Sequence, residues 1–186
     1  MRNREVELIV KMGILTALSI VLVVLIHFPI FSAAPYLEYD PADVPILIGT
    51  FLYGPANGLL LTVAVSVIQG LTVSPGTMPI GVIMHIIATG TLAVTAGLVY
   101  RRKHTRQGAV IALICGSLTM TVVMIPLNLI FTPMYTGISR SEIWPLFRYI
   151  IPFNLIKASA NSVITFLLYK SVGRILRVEM VKRYNR

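Results

Sequence analysis

Apolar segments separated by short polar connections make up almost the whole chain. Five long apolar runs cover residues 9–26, 56–73, 80–100, 109–131 and 146–172, and a shorter run covers 44–53. A helix that crosses a bilayer needs about 20 predominantly apolar residues, which each long run approaches or exceeds. The pattern therefore predicts an all-α integral membrane protein with six transmembrane helices. The short run lies beside a polar loop and predicts a broken or tilted helix that lines a cavity.

Proline and glycine mark the ends of these runs. Pro29 ends the first run, and Gly54-Pro55 forms a turn after the short one. The connection at 31–45 contains three of the chain's seven acidic residues and three prolines that restrict its backbone. Such a stiff loop fits a lid over a cavity, and it equally fits a plain connector.

The composition excludes a soluble domain. The chain has 186 residues, of which 56% are hydrophobic and 12% charged, and its mean hydropathy is +0.82. A soluble domain of this length could not bury so much apolar surface. Six spans and their connections use the whole sequence, so we expect residues 1–186 to form one transmembrane domain. The sequence has no P-loop, HExxH or GxSxG pattern, and we expect no nucleotide hydrolysis and no catalytic site.

The basic residues predict the orientation of the chain. Of the 16 Lys and Arg residues, 13 lie before or at the start of the first run, at 101–106, or from Lys170 onward. With six spans and a cytoplasmic N-terminus, all three regions face the cytoplasm, as the positive-inside rule requires. Five spans would divide the basic clusters between the two sides. The net charge of +9 is therefore attributed to topology and anionic lipid in a bacterial plasma membrane, with no nucleic acid partner.

The N-terminal run has an alternative interpretation as a signal peptide. Basic residues precede it, and Ser32-Ala33-Ala34 resembles a cleavage site. The run at 12–30 is longer than the usual core of about 7–15 residues. We expect it to be retained as the first span.

Asn154 and Lys157 are the most unusual polar residues inside an apolar segment. Residues at i and i+3 share a helix face, so both side chains point to one side of the last helix. A lysine near the middle of a bilayer costs roughly 2.5–3.5 kcal/mol and needs a partner, a cavity or a function. We expect the pair to bind a polar solute, although Lys157 could instead pair with an acidic loop residue and stabilise the bundle.

Further polar and aromatic positions share the predicted outer half of the bundle. They come from separate segments, which suits a cavity that opens to the exterior and binds carbonyl, amide or imide edges and a flat ring. The full set of candidate ligand-binding residues is Leu37, Glu38, Tyr39, His85, Asn128, Phe153, Asn154 and Lys157.

For several residues a purely structural role is the alternative to a role in binding. Asn128 could cap backbone freed by Pro126, and His85 could be an ordinary hydrogen-bonded helix histidine. His85 lacks a second ligand at i+4, so no metal site is predicted. Cys115, the only cysteine, fits a small packing residue.

Gly13 and Ala17 form a small-xxx-small pair on the first helix. Such pairs allow another helix to approach closely. The partner helix could belong to another subunit, or the pair could serve ordinary internal packing.

The chain resembles the substrate-binding S components of energy-coupling factor (ECF) vitamin transporters, and among them the riboflavin-specific members. The resemblance rests on the length, six spans, the small-xxx-small pair of the first helix, the loop from Pro35 to Pro45, Gly54-Pro55 and above all the segment Ile151 to Lys157, which matches an IPFN-x-x-K motif. The resemblance implies that Asn154 and Lys157 contact the edge of a flavin ring and that Asn128 matches a family asparagine. The chain departs from the pattern at 65–69, where a Lys-Asn pair is usual, and at His85, where asparagine is usual.

The resemblance also implies a mechanism. The S component of an ECF-type ABC importer binds a vitamin from outside and docks through Gly13 and Ala17 onto a membrane coupling subunit (EcfT-like) driven by two cytoplasmic ATPases. Riboflavin, FMN or a related flavin is the expected transported ligand, and no cofactor is expected. The alternatives are an S component for another vitamin or precursor, such as pantothenate or hydroxymethylpyrimidine, or a small membrane enzyme with His85 and Lys157 as acid–base groups.

Overall fold

A computed structural model describes the backbone of residues 2–184 and the side chains of 5–76, 78–134, 136–139 and 141–176. Several basic residues that predicted the orientation lie outside the described side chains, namely Arg2, Arg4, Arg177, Lys182, Arg183 and Arg186. The described chain is almost entirely helical. Its elements are α1 Arg2–Leu25, β1 Phe28–Pro29, β2 Glu38–Tyr39, α2 Asp43–Tyr53, α3 Pro55–Thr72, α4 Ile80–Arg102, α5 Arg106–Thr136, α6 Arg140–Ile143 and α7 Phe147–Tyr184, with single 3-10 turns at Pro75–Thr77 and Trp144–Leu146.

Five of the described helices are long and apolar enough to cross a bilayer. They are α1, α3, α4, α5 and α7. Large apolar side chains such as Leu25, Val122 and Leu167 stay more than half exposed on the outside of the bundle. An exposed apolar surface of this extent suits hydrocarbon rather than water. The helices thus form a bundle built for a membrane.

The short helix α2 lies at the centre of the bundle. It has 11 residues, and nine of them, Asp43 to Phe51, are buried. It packs against α1, α3, α4 and α7. Leu47 and Ile48 belong to one core with Leu92 of α4, whereas Ile46 belongs to a second core with Leu15 of α1. The prediction that this run lines a cavity is confirmed only for its end: most of its apolar side chains fill the core, and none lines the cavity described below, whereas Phe51 and Leu52 line a second cavity at the other end of the bundle.

A tight turn at Gly54 joins α2 to α3. Gly54 has φ +91° and ψ 170°, a backbone region that only glycine adopts readily. Pro55 then starts α3, where a missing N–H costs nothing. Gly97 of α4 lets that helix pack closely, because a Cβ there would lie 2.9 Å from the Cβ of Pro55. The turn and its neighbours therefore fix three helices against one another.

The connection between α1 and α2 folds over one end of the bundle. Phe28 pairs with Tyr39 and Pro29 with Glu38 in a short antiparallel ladder. Leu37 packs there with Ile143 of α6 and Phe153 of α7 in a third apolar cluster. This cluster holds the loop in place above the cavity.

Candidate functional site

A cavity of about 220 Å³ lies beneath the α1–α2 loop, between α3, α4, α5 and α7. One wall is apolar, with Ala88, Met120, Met124 and Phe153, and a second set of side chains is polar. The polar lining consists of Glu38, Asp40, Ser66, Gln69, Ser74, His85, Asn128, Thr132, Asn154 and Lys157, with Tyr36 beside them. An apolar wall with a few placed polar groups is the usual form of a small-molecule site.

Helix α7 contributes the two residues that the sequence singled out. Asn154 is 1% exposed and Lys157 is 8% exposed, and both line the cavity. The Nδ2 of Asn154 donates to the carbonyl oxygen of Ile150 at 2.8 Å, one turn earlier on the helix. This bond fixes the amide while its Oδ1 keeps acceptor capacity.

Lys157 forms an ion pair with the loop residue Asp40. Its Nζ donates to Asp40 Oδ2 at 2.7 Å. The other carboxylate oxygen accepts from the backbone N–H of Ala42 at 3.0 Å, and the carbonyl oxygen of Asp40 accepts from Asn161 Nδ2 at 3.0 Å. The pairing that the sequence left open for Lys157 is therefore present, and both partners also line the cavity.

A second hydrogen-bonded network lies beside the cavity and centres on Asp43. Thr89 donates to Asp43 Oδ1 at 2.9 Å, and Asn161 donates to Asp43 Oδ2 at 3.1 Å. His85 places Nε2 3.5 Å from Asp43 Oδ1, while its Nδ1 lies 2.8 Å from Ser66 Oγ. His85 thus hydrogen-bonds to Ser66 through Nδ1 and places Nε2 beside the buried carboxylate, at the cavity wall.

Asn128 and Thr132 of α5 form the facing wall. Asn128 is 1% exposed and donates from Nδ2 to the carbonyl oxygen of Met124 at 2.8 Å. Its Oδ1 accepts from Thr132 Oγ1 at 2.9 Å. The capping of backbone freed by Pro126, which the sequence left open for Asn128, is not what the structure shows, because a proline at 126 frees the carbonyl of residue 122 and Asn128 bonds to that of Met124.

The predicted loop residues divide into two groups. Leu37 and Glu38 line the cavity. Tyr39 does not; its hydroxyl donates to Asn161 Oδ1 at 3.0 Å. Burial raises the pKa of Tyr39, and the neighbouring Asp40 carboxylate raises that pKa further, so the phenol keeps its proton for this bond. Tyr39 is therefore placed as a support of the loop.

Gly13 and Ala17 lie on the exposed face of α1. A Cβ built on Gly13 would meet nothing within 4 Å. Exposed apolar neighbours on the same helix include Ile9, Val10 and Ile14. The small residues therefore do not serve packing inside this chain, and they leave a shallow apolar surface open.

Sequence reasoning missed the residues behind the cavity wall. Asp43 looked like one of several loop acids, and Thr89 and Asn161 looked like ordinary helix residues. For Asn161 a signal existed, because Asn154, Lys157 and Asn161 follow the i, i+3, i+7 spacing of one helix face. Among the described residues, no group of three or more His, Cys, Asp or Glu side chains could hold a metal ion.

A bundle of apolar helices with a polar-walled cavity under a loop defines a membrane-embedded binding protein for a small polar solute. The chain belongs to the family of ECF transporter substrate-specific components, whose family model matches residues 7–169. The resemblance stated from the sequence is thereby confirmed. The chain is a subunit of a transporter rather than an enzyme, is a multi-pass membrane protein, and works with an ECF module.

Curated relatives carry riboflavin in their names. The chain is 30% identical to a riboflavin transporter RibU of Staphylococcus aureus, over 91% of this chain and 92% of the relative. It is 26% identical to the riboflavin transporter FmnP of Bacillus subtilis, over 89% of this chain and 91% of the relative. A solved structure, described as the S component of a bacterial ECF transporter, matches with a TM-score of 0.81 and 28% identity, covering 95% of this chain and 99% of that one.

Proposed function

We propose that this S component binds riboflavin from outside the cell for import. The observation that carries the proposal is that Asn128, Asn154 and Lys157 lie in one cavity with an apolar wall. A flavin ring has carbonyl oxygens and an imide N–H along one edge, which amide and ammonium groups match. Met120, Met124 and Phe153 offer flat apolar contact for the ring faces. Similarity to the named riboflavin transporters supports the same ligand.

The charges around the cavity favour riboflavin over its phosphate FMN. Glu38 and Asp40 both line the cavity on the loop side. Lys157, the one lysine or arginine among the described lining residues, is already paired with Asp40 at 2.7 Å. A phosphate on the sugar chain would meet these carboxylates when the ring edge contacts α5 and α7. We therefore expect riboflavin to bind more tightly than FMN.

A flavin titration of the purified protein tests the proposal. Quenching of flavin fluorescence should show submicromolar binding of riboflavin and weaker binding of FMN. Asn154→Ala should bind riboflavin at least about tenfold more weakly. The flavin group that contacts Asn154 would then be buried without a partner, which costs about 1–3 kcal/mol. Asn57→Ala is the matched control, because Asn57 also donates to the carbonyl one turn earlier, at 2.8 Å, but does not line the cavity. Tight binding of pantothenate or hydroxymethylpyrimidine without flavin binding would refute riboflavin as the ligand, while the family assignment would still hold.

The remaining steps of transport are proposed from the family and from the exposed face of α1. The face with Gly13 and Ala17 would contact an EcfT-like membrane coupling subunit, and two cytoplasmic ATPases would supply the energy. The chain would act as one domain, residues 1–186, in a bacterial plasma membrane. Six membrane elements, with α2 as the short one, would place both termini in the cytoplasm.

A further inference from the structure

A second cavity lies at the opposite end of the bundle from the first. Its volume is about 710 Å³, and it lies between the ends of α2, α4, α5 and α7. Arg106, Lys170 and Arg174 line it, together with His104, and none of the described lining residues is acidic. Among the described side chains, none of these three cations forms an ion pair, whereas Lys11 at the same end is paired with Glu7 at 2.9 Å. Within the described part of the chain, the cavity therefore gathers positive charge that no carboxylate neutralises.

Aromatic rings form the floor of this basic cavity. Tyr169 is 4% exposed, and its ring packs against Phe51 at 5.5 Å and against Tyr100 at 6.2 Å between centroids. Phe51 and Tyr100 stack at 4.3 Å. Tyrosine side chains favour the membrane–water interface, where lipid headgroups lie. The three cations therefore surround a base of packed aromatic rings.

An apolar groove continues from the basic cavity along the seam between α5 and α7. It has a volume of about 270 Å³, is lined by residues such as Leu113, Ile114 and Val163, and shares Phe166 with the basic cavity. Small side chains, Ser117, Ser159 and Ser162, keep the seam shallow. Ser117 and Ser162 satisfy each other at 3.1 Å, so the groove offers an apolar surface to its occupant.

The basic cavity and the apolar groove lie along the same faces of α5 and α7. On α5, Arg106 precedes Val110 by four residues and Leu113 by seven. On α7, Phe166, Lys170 and Arg174 follow one another at spacings of four. Residues at these spacings share a helix face, so the cations stand directly above the groove. One amphipathic molecule can contact both.

We propose that the basic cavity and the groove together bind one anionic phospholipid of the leaflet at the α4–α5 end. Its phosphate is held by Arg106, Lys170 and Arg174, and one acyl chain occupies the groove. The three cations attract a negatively charged headgroup, and basic pockets between membrane helices are known to bind such headgroups. The groove selects a lipid over a free phosphate, because a free ion makes no use of an apolar surface.

Native mass spectrometry of the detergent-purified protein with added lipid tests this site. Phosphatidylglycerol should bind at least about tenfold more tightly than phosphatidylcholine, because only the former carries net negative charge. The triple variant Arg106→Gln/Lys170→Gln/Arg174→Gln should lose that preference. The control Arg101→Gln/Arg102→Gln/Lys103→Gln removes the same charge at the same end but outside the cavity lining, and it should change binding by less than about twofold.

A groove variant separates the lipid from a free anion. Ser159→Phe should fill the groove and weaken phosphatidylglycerol binding several-fold, whereas Val122→Phe, at a 63% exposed position of α5 outside the groove, should not. Equal losses in both triple variants would overturn the proposal in favour of general surface charge. Unchanged binding in Ser159→Phe, with inorganic phosphate competing, would overturn it in favour of an anion site.

A protein partner is the remaining alternative occupant. The cavity triple variant would then keep phosphatidylglycerol binding and instead fail to assemble with the coupling module, which would refute the lipid site. Circular dichroism and the unfolding midpoint of each variant establish that it is folded. Every readout is independent of flavin binding.

Discussion

At the scale of single residues, the ion pair between Lys157 and Asp40 ties the loop to α7. Their side chains are 10% and 6% exposed, so neither charge is compensated by water. A buried pair of this kind is costly to assemble and more costly to break, because removing one partner leaves an uncompensated charge. The pair thus serves the integrity of the cavity whether or not it also contacts a ligand.

Replacing one partner of this ion pair should destabilise the protein more than replacing both. Asp40→Leu leaves the Lys157 ammonium buried and should cost about 3–5 kcal/mol of unfolding free energy. The double variant Asp40→Leu/Lys157→Met removes both charges and should recover most of that loss. Thermal unfolding in detergent measures both. If the double variant loses as much unfolding free energy as Asp40→Leu and Lys157→Met lose together, the pair is not energetically coupled.

At the scale of residues, the sequence predicted only the relations between side chains of the same helix. Asn154 and Lys157 could be placed on one face because their spacing is fixed by helix geometry. The choice of Asp40 over Glu38 or Asp43 could not be derived, because 117 residues separate the partners and the loop path decides it. Asp43 instead enters the α2 end and bonds to Thr89 and Asn161.

At the scale of elements, α2 is the helix whose role changed most between sequence and structure. Its length and apolar character were visible, but the same features suit a cavity wall and a core. The contacts with α1, α3, α4 and α7 decide for the core. The ends of the other helices also differ from the prediction: α5 runs from Arg106 to Thr136, beyond the predicted 109–131, and the helix continues past Pro133 instead of ending before it.

Gly54 should be the most sensitive glycine of the α2–α3 turn. Gly54→Ala forces a Cβ into a backbone region that only glycine adopts readily and should cost about 1–3 kcal/mol of stability. Gly13→Ala is the control, since its Cβ would meet nothing within 4 Å and a helix interior favours alanine. Chemical or thermal unfolding compares the two. A Gly54→Ala protein as stable as the parent would show that the turn can relax.

A bulky residue on the exposed face of α1 should block assembly without affecting ligand binding. Gly13→Phe covers the surface that a second helix would approach closely. Co-purification with the coupling subunit should fall, while flavin affinity stays unchanged. Val122→Phe places the same ring at an exposed position of α5 and should leave assembly intact. Loss of flavin binding in Gly13→Phe would mean that α1 supports the cavity.

At the scale of the whole molecule, the path of the chain depends on whether α2 crosses the membrane. Its 11 residues span about 16 Å, roughly half of a hydrocarbon core of about 30 Å. Its burial among longer helices removes the need to match the bilayer, because its apolar surface contacts protein. If α2 counts as a crossing, the N-terminus, the 101–106 cluster and the C-terminal part of α7 share one side. If it does not, the basic regions are divided between two sides.

Single cysteines tested with a membrane-impermeant maleimide on intact cells should settle the topology. In a Cys115→Ser background, Ser32→Cys should be labelled from outside, whereas Ala56→Cys and Lys103→Cys should react only after the cells are opened. All three positions are exposed, so burial does not decide their labelling. Without a crossing at α2, Ala56→Cys and Lys103→Cys would both react on intact cells together with Ser32→Cys. That outcome would also move the basic cavity to the outer leaflet, where the positive-inside rule offers no reason for it.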